Sequence, residues 1–509
     1  MKLRGTMVFG ILILATFCLS TGPALAGKDS LIYAIDSEFA TMDRYASTQL
    51  FVNNLFFMIS DGVVRRNVKT LQIEPALAES WKQIDSKTWE FKLREGVKFH
   101  NGNELTAECV RFTLMDWILN PKQINPSKTY FNWIKEVKVL DKYTFRIISN
   151  DFYPIVLDQM GFLTPYDPAH VKKYGAAVAE IPMGTGPYKF VKWERGSQLQ
   201  LTANENYWDK GLPYIKNVTF RVIPELSTRI AELKAGGVDL IANVDPDKVG
   251  QITTDPNLKI ISGPINRTIF YQFDSFGRAS KTPVMDVRVR KAIYHAIDRE
   301  AIMKNMLNGY GEVTDDVCNR FLFGHDKSIK GYEYNPAKAK ALLKEAGYEK
   351  GFEIDMWQYY DVQNLFNQAA MDWLARVGIK VKLHDYRGNI GALIKLRNSG
   401  KITGIGDYSW GTGFVFDAEG ILPNWFRKDD PKCYAPDDQI DAWLAEARIT
   451  EDPAKRKALY VKAQRRILEQ VYWMPLFLKY QINAAKKNLQ NVPVMPYEYM
   501  LLQYAKWAD

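Results

Sequence analysis

Trp89, Phe91 and Leu93 alternate with Glu90, Lys92 and Arg94. This period of two predicts a strand with one buried and one wet face, turned at Glu95-Gly96. A hairpin is predicted further on, where Val137 and Val139 lead into Asp141-Lys142 and Tyr143, Phe145 and Ile147 alternate again. Other stretches repeat at helical spacing and carry their own end marks. Asn335-Pro336 reads as N-cap and first-turn proline, Ala339, Leu342, Leu343 and Ala346 share one face, and Gly347 supplies a left-handed stop. Asp452-Pro453 opens a similar helix with Leu459, Ala463 and Ile467 inward, while Asp286 and Asp298 cap two consecutive helices and Gly309 closes the latter. Strands and helices interleave from Leu31 onward, as in an α/β chain. No Gly-, Ser- or Pro-rich linker divides it, so the pattern favours two lobes hinged by short crossing segments over beads on a string.

The N-terminus follows a different grammar. Lys2 and Arg4, an apolar run over 7–19, and Ala24-Leu25-Ala26 before Gly27 predict an export leader over residues 1–26. Phe17, not a small residue, precedes Cys18, so ordinary cleavage to a soluble periplasmic protein is expected in place of lipidation. The run is short for a bilayer span, and no later segment is apolar for long enough.

With 509 residues, 47% apolar and 25% charged, the chain can bury a large core in about three domain-sized units. Its formal charge of +9 drops by two with the leader, and acids and bases interleave, so no nucleic-acid partner is expected. Beyond the leader Cys109, Cys318 and Cys433 remain, without CxxC or zinc spacing. A Cys318–Cys433 bridge and three unlinked thiols stand as the two alternatives.

Enzyme signatures fail. GxxxxGK[ST], GxSxG and HExxH are missing, and both Gly184-Thr185-Gly186 and Gly411-Thr412-Gly413 lack the third glycine of a dinucleotide loop. The histidines, at 100, 170, 295, 325 and 384, form no local ligand pair. Paired acids such as Asp315-Asp316 and Asp429-Asp430 sit in polar loops. No catalysis, cofactor or metal is expected; an exported hydrolase would need nucleophile and base brought together in a cleft, and an adhesin a broad apolar patch.

Six blocks, in order, resemble one family. They are PALAESW (75–81), LREGVKFHNG (93–102) with LTAE after it, GTGPYKFVKW (184–193), NENYW (204–208), DVRVRKAIYHAIDREAI (286–302) and YNPAKAKALLKEAGY (334–348). Together they are similar to the large extracytoplasmic solute-binding proteins of family 5, which serve peptide, glutathione, opine and nickel ABC importers. The resemblance implies a two-lobed α/β periplasmic-binding-protein fold of class II, in its large cluster. Lobe I would comprise 27–60, 182–265 and 483–509, with an extra subdomain over 61–181. Lobe II would comprise 266–482, and crossing segments near 265–273 and 479–485 would form the hinge. It further implies a monomeric receptor with no cofactor, whose partners are a short peptide or peptide-like solute and the importer's permease. Glutathione or an opine is the rival solute, and chelated nickel or haem a weaker one.

Candidate ligand residues concentrate in GDYSWGTGFVFDAEGIL (406–422). Gly411 and Gly413 let backbone approach a ligand, Trp410 offers a rigid wall, and Asp417 a fixed charge. In peptide-binding relatives an acid at the matching place receives the ligand's α-ammonium; as an alternative, Asp417 caps a helix at Ala418. The resemblance also brings in Ser47, Thr48 and Tyr130 from the first lobe. Dipeptide binders carry a carboxylate-clamping Arg just after the strand that corresponds to 353–357, where this chain has Trp357 and Gln358. The glutathione binders have Trp there. An aromatic does not replace a guanidinium fork, and Arg387 is either a substitute cation or a solvated strand end.

Overall fold

The computed structural model describes residues 29–47, 50–123, 125–359, 361–498 and 500–508. The leader and Thr48 therefore lie outside the described residues. The two longest strands, Leu258–Phe273 and Trp473–Lys486, run antiparallel through the middle of an 11-stranded sheet. Their segments around Ile269–Phe273 and Trp473–Leu478 are buried almost throughout, as strands covered on both faces must be. Past one side lie Ile405–Gly411, Phe352–Gln358 and Ile379–Asp385; past the other lie Leu240–Ile241, Ser30–Ile35, Asn217–Val222, Gln198–Ala203 and Tyr188–Glu194. One sheet thus extends to either side of these two long central strands. Their mutual register shifts between Pro264 and Thr268, and again between Ile269 and Phe270.

A separate antiparallel sheet falls within 61–181, in the order Ala78–Asp85, Thr88–Leu93, Thr144–Ser149, Ile134–Val139. Here the alternation of the sequence becomes a core: Phe91 and Phe145 stack at 5.3 Å beside Leu93 and Ile147. The hairpin pairs Val137 with Ile147 and Val139 with Phe145, and Gly96 takes φ +75° at its turn.

The marked helices form with their caps in place. Asp286, Asp298, Asn335 and Asp452 accept from the amides of Arg288, Ala301, Lys338 and Lys455 at the heads of Val287–Ala296, Arg299–Asn305, Pro336–Glu345 and Pro453–Glu469. Each cap satisfies an amide that the first turn leaves without a partner.

Gly184 and Gly186 act by allowing contact. A Cβ at Gly184 would stand 2.2 Å from the Ile59 carbonyl, and one at Gly186 2.6 Å from the Ser60 amide nitrogen. Their carbonyls also accept from His100, through its amide at 2.9 Å and its Nε2 at 3.0 Å. The GTGPYKF and LREGVKFHNG blocks are therefore stitched to each other.

The open alternative for the cysteines resolves against a bridge. Cys318 and Cys433 are both free and buried, as is Cys109, and both pack as small apolar side chains. Among the described residues no helix is long and apolar enough to cross a membrane.

Candidate functional site

The strands Phe352–Gln358, Ile379–Asp385 and Ile405–Gly411 are parallel to one another and end together at one rim of the sheet. Ligands of open α/β sheets lie outside such carboxyl ends. Trp357, Arg387 and Trp410 sit at this rim. Trp357 stacks on His384 at 4.0 Å and donates Nε1–H to the Thr403 carbonyl. Trp410 meets Trp425 edge-on at 5.4 Å and donates to the Gly420 carbonyl. Arg387 is exposed and forms an ion pair with Asp385 at 2.6 Å.

After Gly411 the chain turns sharply toward the first lobe. The Val415 amide donates to the Thr412 carbonyl at 3.1 Å, Gly413 takes φ +57°, and Asn266 of the crossing strand holds Thr412 Oγ1 at 2.5 Å. The turn carries Phe414 and Phe416 into the core cluster of Tyr45, Phe162 and Tyr497. Phe414 stacks on Phe57 at 6.0 Å and meets Tyr497 at 5.1 Å. The Phe416 amide donates to Asp158 at 2.9 Å, and that same carboxylate oxygen accepts from Arg66, whose guanidinium lies 4.0 Å from the Phe416 ring centre. Residues 258 positions apart in the chain thus meet here.

Asp417 is the N-cap of the short helix Ala418–Gly420, accepting from the Glu419 amide, and Arg456 binds both of its oxygens, at 3.1 and 2.6 Å. Burial pushes its carboxyl up to about 6, against the pull of Arg456 and of the Glu419 amide. Glu419 is held by Arg448 at 2.6 Å and by the Tyr460 hydroxyl at 3.1 Å. The Tyr153 hydroxyl is pushed up by burial and next by the Glu419 carboxylate. At the crossing strand Arg267 binds Glu498 of the C-terminal tail at 2.7 Å.

On the first-lobe wall Tyr130 is half-buried against Phe162, its hydroxyl raised by burial and eased by Arg44. The Arg44 guanidinium lies 3.9 Å from the Phe162 ring centre. Ser47 is half-buried three residues on. The structure places Trp357, Trp410 and Gly411 at the ends of the strands Phe352–Gln358 and Ile405–Gly411, Gly413 and Asp417 in the turn that follows, and Tyr130 in the helix Lys128–Phe131. Sequence reasoning missed Phe414, Phe416, Asp158, Arg66, Arg448 and Arg456. No His/Cys/Asp/Glu group suited to a metal ion occurs among the described residues.

Residues 72–432 match the model of the bacterial extracellular solute-binding proteins, family 5. The chain belongs to this family. Its members are substrate-binding receptors of ABC importers and not enzymes. The glutathione-binding protein GsiB of Salmonella typhi is 26% identical over 491 residues, covering 93% of each chain. Among solved structures, the receptor resembles the periplasmic binding protein DppA of Helicobacter pylori in complex with the peptide STSA, at 25% identity and a TM-score of 0.78 over 94% of this chain and 98% of that one. It likewise resembles AgaA of A. tumefaciens R10 in complex with agropinic acid, at 26% identity and a TM-score of 0.76 over 94% and 99%. The two-lobed fold expected from the sequence is the fold of these neighbours.

Proposed function

We propose that this receptor captures a small, peptide-like solute in the periplasm, with glutathione first among candidates and an opine next, and delivers it as a monomer to its permease. Its leader, 1–26, is removed on export. The reading is carried by the charge pairing of the cleft. Asp158, Asp417, Glu419 and Glu498 each meet an arginine of the same chain, so none of these four acids is left bare for a lone α-ammonium, the group by which simple peptides are commonly held. The arginines are engaged in the same pairs, so a solute held through amides, hydroxyls and apolar contact suits such a cleft better than a plain dipeptide held by its two terminal charges. The absence of an arginine at Trp357–Gln358 points the same way, as do relatives named for glutathione and agropinic acid.

Solute bridging Ser47 and Tyr130 on one side and Trp410, Gly411, Gly413 and Trp357 on the other is held by both lobes only when they are closed. Binding therefore shifts the population toward the closed form that the permease reads. Asp417, with Arg456, fixes the turn that presents the glycines. Thermal-shift screening with glutathione, agropinic acid, dipeptides and nickel–histidine tests the assignment. At 100 times its dissociation constant the true solute adds about 2.7 kcal/mol. Stabilisation by glutathione or the opine, with the compound recovered unchanged, is the expected result. Stabilisation by dipeptides alone, or turnover of the bound compound, overturns it.

A further inference from the structure

Residues 316–326 form a loop gathered on one carboxylate. Asp316 Oδ2 lies 2.8 Å from His325 Nδ1, nine positions on, and also accepts from the Asp326 amide at 3.0 Å, while Oδ1 accepts from the Cys318 amide at 3.0 Å. The carboxylate is 4% exposed and the imidazole 31%. His325 Nδ1 meets a second acceptor, the Cys318 carbonyl, at 3.1 Å. Between two acceptors, Nδ1 carries a hydrogen whether the ring is charged or neutral. The ring therefore gains and loses its proton at Nε2.

Bounded by this pair, the loop grips the turn 412–418 at two places. The Phe323 amide donates to the Phe416 carbonyl at 2.9 Å, and the Ala418 amide donates to the Phe323 carbonyl at 2.8 Å. Asn319 donates Nδ2 to Asn266 Oδ1 at 3.0 Å, and Asn266 donates in turn to Thr412 Oγ1 and the Val415 carbonyl. Gly324 permits the close approach: its φ is +108°, and a Cβ there would stand 2.8 Å from that of Ala418. The Asp316 bond holds the His325 proton above the usual imidazole range, against burial and a smaller push from Lys457 of the helix Pro453–Glu469. Burial raises the Asp316 carboxyl, against the bonds from His325, Asp326 and Cys318. Around them, Arg465 of the same helix binds Asp326 at 3.4 Å, Arg456 holds Asp417, and the Cys318 thiol is raised well above its ordinary range by burial. Asp417 titrates at about 6, while the lysine and the arginines keep their charge through mildly alkaline pH. The proton lost here above neutrality comes from His325.

We propose that the Asp316–His325 pair is a pH-sensitive latch: with His325 charged it holds the loop, and through the loop the turn 412–418, and with His325 neutral it holds both more weakly. A charge-assisted hydrogen bond is roughly twice as strong as a neutral one, so the turn opens more often once the ring has lost its proton. The turn carries Gly413 and Asp417 and follows directly on Trp410 and Gly411. The wall that they form is therefore best ordered near neutral pH and loosens as pH rises. That this wall meets solute rests on the function proposed above; the latch rests on the contacts of the loop alone.

Hydrogen exchange of the purified protein, with no solute added, tests the latch. Protection factors, which remove the intrinsic pH dependence of exchange, are compared at about pH 7 and about pH 9, on either side of the loss of the His325 proton. The Ala418 amide, bonded to Phe323, is the reporter; the Leu93 amide, bonded to the Tyr143 carbonyl in the separate antiparallel sheet, is the control. Between the two conditions Ala418 should lose about fivefold in protection relative to Leu93. In His325→Gln, which keeps a donor for Asp316 and does not titrate, that loss should vanish. A wild-type ratio that stays flat, or one that falls equally far in His325→Gln, overturns the inference. Should His325→Gln fail to fold, the wild-type ratio decides alone, a fall supporting the latch and a flat ratio overturning it. Because no solute enters the measurement, its outcome is independent of what the thermal-shift screen returns.

Discussion

Arg456 grips both carboxylate oxygens of Asp417, and the two side chains are 9% and 6% exposed. Removing one member of such a pair strands the other charge in a poorly solvated place. Asp417→Ala should therefore lower stability by about 3 kcal/mol without any solute present, part of it the lost helix cap. Arg456→Ala should cost a similar amount, and the double variant less than the sum. Urea unfolding at neutral pH measures all three. An acid that did nothing but await an ammonium would leave the unliganded midpoint in place.

The contact between the GTGPYKF block and Ile59–Ser60 makes a paired prediction. Gly184→Ala drives a Cβ to 2.0 Å from Ser60 Oγ and 2.2 Å from the Ile59 carbonyl, an overpacking that costs roughly 1–3 kcal/mol. Gly250 lies exposed in the helix Val249–Thr253 with nothing within 4 Å of its would-be Cβ. Gly250→Ala should raise stability by up to about 1 kcal/mol through helix propensity. Urea midpoints that move in opposite directions confirm the difference; two equal shifts refute the packing role of Gly184.

What the sequence made legible was local. Asn335, Asp286 and Asp452 announce their helices because a cap and the amide it satisfies lie within three residues, and the Phe91/Phe145 core follows from period-two alternation. The cleft was legible only in part, because its partners are distant. Arg456 reads as one more solvated charge among the Lys and Arg of Pro453–Glu469, and nothing local ties it to Asp417, 39 residues earlier. Phe414 and Phe416 read as the apolar filling of a loop; their burial against Phe57 and Tyr497 depends on how two lobes meet, which no periodicity encodes. Both readings of Asp417 were open, and the cap is visible in the fold while its carboxylate is shared with an arginine that the sequence did not nominate.

The thiols offer a test of both fold and export. Burial pushes the Cys433 thiol up to about 11 and raises those of Cys109 and Cys318 as well, so all three should resist a thiol reagent in the native state. In denaturant the exported protein should titrate three thiols with no reductant added, since no bridge joins Cys318 and Cys433. A count of one would mean that the bridge forms. A count of four, matching the whole sequence, would mean that Cys18 and its leader are retained.

His100 predicts how stability depends on pH. Burial holds its imidazole down at about 4, against the favourable bond from Nε2 to the Gly186 carbonyl and with a smaller push from Lys189. In the unfolded chain the ring titrates near 6.5. As pH falls from 6.5 to 4 the unfolded state therefore takes up a proton that the folded state refuses, and folding stability declines across that window, being whole above it. The difference amounts to about 2 kcal/mol once partial solvent access is allowed for. Gln at this position keeps a donor for Gly186 and does not titrate. Between pH 7 and 4 the stability of His100→Gln should fall less steeply than that of wild type by that amount, read from urea unfolding at each pH. Parallel curves would mean that His100 is protonated in the fold as easily as out of it.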